Sequence, residues 1–73
     1  MINEIKTRTA TITAEVVGNQ ILVTHSYRHV KTGVERSTRY WLEHYHLARL
    51  IKFKQVDAML RYARKFDKSE RVA

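Results

Sequence analysis

Residues 7–28 read TRTATITAEVVGNQILVTHSYR, and this stretch decides the fold. Its even positions Ala10, Ile12, Ala14 and Val16 are apolar, while Thr7, Thr9, Thr11, Thr13 and Glu15 alternate with them. A side-chain period of two belongs to a strand with one face buried. Gly18-Asn19 follows, two residues that tolerate the positive φ demanded by the primed turns of tight hairpins. Pairing Val17 with Gln20 across that turn sets Val16 opposite Ile21, Ala14 opposite Val23, Ile12 opposite His25 and Ala10 opposite Tyr27. The apolar halves of both strands then share one face. The other face pairs Thr13 with Thr24, Thr11 with Ser26 and Thr9 with Arg28, a polar surface open to water or to a ligand.

Downstream, Lys31-Thr32-Gly33 is a second turn signal, with Gly33 able to take the left-handed conformation between Val30 and Val34. Residues 34–41 supply a third strand whose inward set is either Arg36, Thr38 and Tyr40 or Glu35, Ser37 and Arg39. From Trp41 to Phe66 there is no Gly or Pro, and Leu, Ala, Arg, Lys, Gln and Met favour helix. Phe53, Val56, Met59, Leu60, Ala63 and Phe66 recur at three-and-four spacing as one apolar stripe, opposite Lys54, Arg61, Arg64, Lys65 and Lys68. Leu47, Leu50 and Ile51 project onto the basic side. Either the helix breaks near Lys52 to Gln55, or this trio forms a second apolar patch that meets another subunit or a partner. The expected fold is α+β: a three-stranded antiparallel meander over about 7–41, followed by one long or broken C-terminal helix over about 42–67 packed on one face. The tail, 68–73, is expected to fray. The whole chain, 1–73, is read as a single small domain, since so short a chain hides only about 60% of its unfolded surface and forms one thin core.

Fourteen Lys and Arg against seven Asp and Glu leave a net charge of +7. The excess is uneven. Residues 1–26 are neutral, with Lys6 and Arg8 against Glu4 and Glu15, whereas residues 45–66 hold six cations against Asp57 alone. Within residues 27–41, Arg28, Lys31, Arg36 and Arg39 oppose only Glu35, and Glu43 takes back one charge. Clustered like charge repels itself and favours an anionic partner such as nucleic acid or an acidic protein surface. The absence of cysteine removes disulfides and fits a cytoplasmic protein. The opening residues lack a basic stretch leading into an apolar run, and no stretch of about 18 apolar residues occurs, so secretion and membrane association are not expected.

Four histidines raise the question of metal. His25 and His29 on a strand lie roughly 13 Å apart at 3.3 Å per residue, and His44 and His46 diverge on a helix, so no metal and no cofactor is expected. No GxSxG, Walker A, GxGxxG or HExxH motif is present, and an enzyme is not expected. One catalytic alternative survives, a metal-independent ribonuclease that gathers His29, Arg28, Arg36 and Tyr40 around a phosphate at one sheet end. Trp41 is expected in the core.

In size and composition the chain, small, basic and free of cysteine, resembles the bacteriophage-encoded regulators that dock on host RNA polymerase or on nucleic acid. The resemblance implies a non-enzymatic transcription regulator acting in the host cytoplasm, its partner either a protein of the transcription machinery or nucleic acid. From the residues themselves, the basic binding surface is expected to comprise Arg28, Arg36, Arg39, Arg49, Lys52, Lys54, Arg61, Arg64 and Lys65. Leu47, Leu50 and Ile51 would form an apolar anchor for a partner, and a homodimer is one way to cover them. Direct DNA or RNA binding through the same cations is the alternative.

Overall fold

The computed structural model describes residues 1–68. Four strands, β1 (Asn3–Lys6), β2 (Ala10–Val17), β3 (Gln20–Arg28) and β4 (Glu35–Glu43), form an antiparallel sheet in the order β1-β2-β3-β4. A 3₁₀ turn (His44–His46), a one-turn helix α1 (Leu47–Leu50) and a longer helix α2 (Val56–Phe66) follow. The class is α+β, but the sheet has four strands where three were expected, and two short helices stand where one C-terminal helix was expected.

The β2–β3 hairpin adopts the register read from its sequence: Val17 pairs with Gln20, Val16 with Ile21, Ala14 with Val23, Ile12 with His25 and Ala10 with Tyr27. Of the two turn residues only Gly18 has positive φ, at 64°, the pattern of a II′ turn. Gly33, at φ 72°, reverses the chain between β3 and β4, where His29 and Val34 close the loop by a 2.9 Å backbone bond.

The added strand, β1, pairs Ile5 with Ile12 and Asn3 with Ala14. Asn3 therefore occupies an inward position, where an apolar residue would have completed the alternation with Ile5. Its side chain reaches across the core instead. Nδ2 donates to the carbonyls of Leu50, at 2.8 Å, and Phe53, at 3.0 Å, fastening the sheet edge to the loop between the helices. A half-buried amide satisfied in this way carries little of the desolvation penalty that an unpaired one would bear.

β4 continues to Glu43 because Leu42 pairs with Ile21 and is buried beside it. Sheet pairing thus overrides the helix propensity of residues 41–43, and the helical part begins later than expected. The inward set of β4 is the even one, with Tyr40 and Leu42 buried. Trp41 points to the other face, beside Leu22, and is half-buried there instead of joining the core.

The helical segment is interrupted between Leu50 and Val56, the first of the two alternatives that the apolar pattern allows. The break lets Leu50 and α2 present their apolar sides to one sheet face. Ile12, Ala14, Ile21, Val23, Tyr40, Leu42, Leu50, Val56, Met59 and Ala63 form the core. Each large aliphatic side chain buried in it contributes about 1.5–3 kcal/mol.

After α2, Asp67 accepts a hydrogen bond from the Trp41 N–H at 2.9 Å, and the Lys68 N–H donates to the Trp41 carbonyl. These two bonds cover the free edge of β4 at that point, which unpaired strand edges require. Lys68 is therefore held, contrary to the fraying expected from it onward; residues 69–73 of that tail lie outside the described residues. Among the described residues no helix is long and apolar enough to cross a membrane.

Candidate nucleic-acid interface

Strand alternation and register assign every sheet residue to one of two faces. On the open face lie, row by row, Glu4 with Thr13, Thr24 and Arg39; Lys6 with Thr11, Ser26 and Ser37; Glu15 with Leu22 and Trp41; and Val17 with Gln20 and Glu43. Arg28 and Glu35 pair at its tip, their side chains 3.9 Å apart and both well exposed. The four described glutamates all lie on this face, interleaved with Lys6, Arg28 and Arg39. Its charge is close to balanced.

The helix-bearing side differs. Arg49, Lys52, Lys54, Arg61, Arg64 and Lys65 are all exposed, with Asp57 the one anion between them from α1 to the end of α2. Arg36 joins them from the sheet, since it follows Glu35 and pairs with Tyr27 on the inward side. The amphipathicity of α2 explains this arrangement. Val56, Met59 and Ala63 turn inward at helical spacing, so Arg61 and Lys65, one turn apart, point straight outward. The break before Val56 keeps Lys52 and Lys54 in the same layer. The helical layer is thus a cationic surface laid over a neutral sheet.

The sequence-predicted cations consequently divide. Arg36, Arg49, Lys52, Lys54, Arg61, Arg64 and Lys65 belong to the helix-bearing side, and Arg28 and Arg39 to the opposite face. The apolar trio divides too. Leu50 is 0% exposed and belongs to the core, Leu47 is half-buried against it, and Ile51 alone is exposed, at 50%. As a united anchor the trio is corrected, because the helix break turns Leu50 inward.

The four-residue ribonuclease constellation does not assemble either. Tyr40 is buried in the core, and Arg28 and Arg36 lie on opposite faces. Among the described residues no group of three His, Asp or Glu side chains could hold a metal ion.

Two shallow grooves flank α2. One, of about 530 Å³, lies between α1 and α2 and is bounded by Tyr45, His46, Arg49, Lys52, Tyr62 and Phe66. Its wall is an aromatic cluster: His46 packs on Tyr45 at 4.3 Å between ring centroids and on Phe66 at 4.6 Å, with its Nδ1 2.6 Å from the Tyr62 hydroxyl. Burial lowers the pKa of His46, with the Glu43 carboxylate opposing part of the effect. Tyr45 is 76% exposed, and the Lys65 ammonium stands 5.5 Å from the centre of the Phe66 ring.

The other groove, of about 500 Å³, lies between the N-terminal half of α2 and the sheet, with Ile5, Ala10, Val56 and Leu60 as apolar walls and His25, Lys54 and Asp57 at its polar margin. The pKa of His25 is lowered by burial and by the Arg64 guanidinium, and raised in smaller measure by the Asp57 carboxylate. Burial and Arg64 both favour the neutral ring. Sequence reasoning missed His25 and Tyr27 as site residues. Their inward pairing with Ile12 and Ala10 was readable, but not that α2 would leave His25 half-buried and Tyr27 exposed.

No family model, curated protein or solved structure matches the chain.

Proposed function

We propose that the protein is a small non-enzymatic transcription regulator that acts by binding nucleic acid through its helix-bearing side. The observation that carries this reading is the segregation of charge: the described glutamates lie on the open sheet face, while the helical layer sets six exposed cations against Asp57. A solvated face mixes both signs, and like charges held together at a cost in repulsion suit a polyanion. Lys and Arg at these positions would contact phosphates and set affinity and orientation, not sequence preference. The test is a salt titration of binding to duplex and single-stranded oligonucleotides. Binding through this layer gives a log–log slope of roughly −3 to −5, from about −0.9 per phosphate contact on duplex.

A second reading, docking on RNA polymerase, is favoured by the exposure of Tyr45 and Ile51 beside Arg49 and Lys52. An exposed aromatic and an aliphatic side chain flanked by cations fit an acidic protein surface with an apolar centre. Co-elution with purified bacterial RNA polymerase, free of nucleic acid, tests it.

A further inference from the structure

α2 has eleven residues, about 16 Å at 1.5 Å per residue, and crosses the sheet from the β1 edge, where Val56 and Leu60 meet Ile5, to the β4 edge, where Asp67 bonds Trp41. It packs against β2 and β4. On the same face, the half nearest the Gly33 turn extends beyond it. The rows there are Ala10, Tyr27 and Arg36, then Ile12, His25 and Thr38. Ile12 is buried, but Tyr27 is 37% exposed and Arg36 is exposed too.

On this shelf the imidazole of His25 and the ring of Tyr27 stack, 5.3 Å between centroids and 24° between planes. In this stack His25 is half-buried and backs the more exposed Tyr27, whose ring ends the stack on the side of the Gly33 turn. Around it the charges are ordered. Asp57, Leu60 and Arg64 share one flank of α2 by their three-and-four spacing, so that the Asp57 carboxylate lies toward β1 and the Arg64 guanidinium toward β4. Arg36, opposite Tyr27 on β4, stands on the Arg64 side.

We propose that this shelf is a binding site for single-stranded nucleic acid: one unpaired base stacks on Tyr27, extending the stack that His25 backs, and its phosphate is held by Arg36 and Arg64. This rests on the nucleic-acid reading above and specifies the form of the ligand. A planar platform bordered by guanidinium groups is what a splayed-out base with its phosphate requires, and stacking on it is indifferent to base identity. A duplex, whose bases are stacked on one another, cannot use the platform and engages only the cations. Asp57 sets the polarity, repelling phosphate from the β1 end of the shelf so that the backbone runs along β4.

The test measures fluorescence anisotropy of a labelled ten-nucleotide single strand and of a ten-base-pair duplex, at low salt, with the full chain and with Tyr27→Ala, Tyr27→Trp and Arg36→Gln. Circular dichroism confirms that each variant is folded. Tyr27→Ala is expected to weaken single-strand binding about tenfold, in the range of one lost base–aromatic stack, and to leave duplex binding within twofold. Tyr27→Trp is expected to retain or exceed the original affinity. Arg36→Gln is expected to weaken single-strand binding and flatten its salt dependence. Equal single-strand binding by Tyr27→Ala and the unaltered chain overturns the shelf while duplex binding keeps the broader reading; no binding of either oligonucleotide overturns both.

Discussion

The Tyr62 hydroxyl lies 2.6 Å from Nδ1 of His46, joining α2 to the 3₁₀ turn that ends the sheet. One hydrogen bond links the hydroxyl and this ring nitrogen. His46 is only 6% exposed and is packed between Tyr45 and Phe66. The pair positions the wall of the groove between the helices. Tyr62→Phe removes the hydroxyl and keeps the ring, and is expected to lower stability by about 1 kcal/mol in urea denaturation.

The same histidine makes stability depend on pH. Its folded pKa lies below the ordinary value near 6.5, because burial disfavours the charged ring. The unfolded chain therefore takes up the proton first. This contribution to stability is complete above about pH 6.5 and is lost as pH falls toward the folded value. His25 acts in the same direction. Thermal melts are expected to show a falling midpoint below pH 6.5, and the fall should be shallower in His46→Gln.

Leu50 and Ile51 adjoin in sequence and differ in place. Leu50→Ala is expected to cost about 2–5 kcal/mol, as for other large-to-small changes in a packed core. Ile51→Ser, at a half-exposed position, is expected to stay within about 0.5 kcal/mol of the original. Paired denaturation curves check both.

Sequence alone carried the hairpin entirely and the surrounding elements unevenly. Alternation in residues 10–27 agreed with the turn and with the register, three signals for one structure. β1 was illegible because Asn3 stands at an inward position, and its partners, the carbonyls of Leu50 and Phe53, lie about fifty residues away in the chain. The extent of β4 was hidden by residues 41–43, whose local preference is helical and whose partners are on β3. Of the candidate site, the cations were legible by type. Their sorting onto two faces required the register of β4 and the break before Val56. The shelf at Tyr27 depends on where α2 lies along the strands, a matter of tertiary packing that no local pattern encodes.

Gly18 takes φ 64° with nothing within 4 Å of where a Cβ would stand. Its requirement is conformational and not steric crowding. Gly18→Ala is expected to destabilise by about 1 kcal/mol, the cost of a positive φ for an L-residue. Chemical denaturation measures the difference.

The Asp67 carboxylate holds the Trp41 amide at the free edge of β4. Asp67→Ala is expected to speed hydrogen exchange at the Trp41 amide and to destabilise by about 1–2 kcal/mol, since a charge-assisted bond to a half-buried amide is lost. Exchange followed by NMR reads the first, and urea denaturation the second.

The most direct test of the central claim neutralises the two faces separately and compares the salt dependence of duplex binding. Arg61→Gln with Lys65→Gln strips the helical layer, and Lys6→Gln with Arg39→Gln strips the open face. The account predicts that the first pair lowers the magnitude of the slope by up to about 1.8, from about 0.9 per lost phosphate contact, and weakens binding, while the second leaves both unchanged. Equal losses from the two pairs, or a binding curve indifferent to salt, would contradict it.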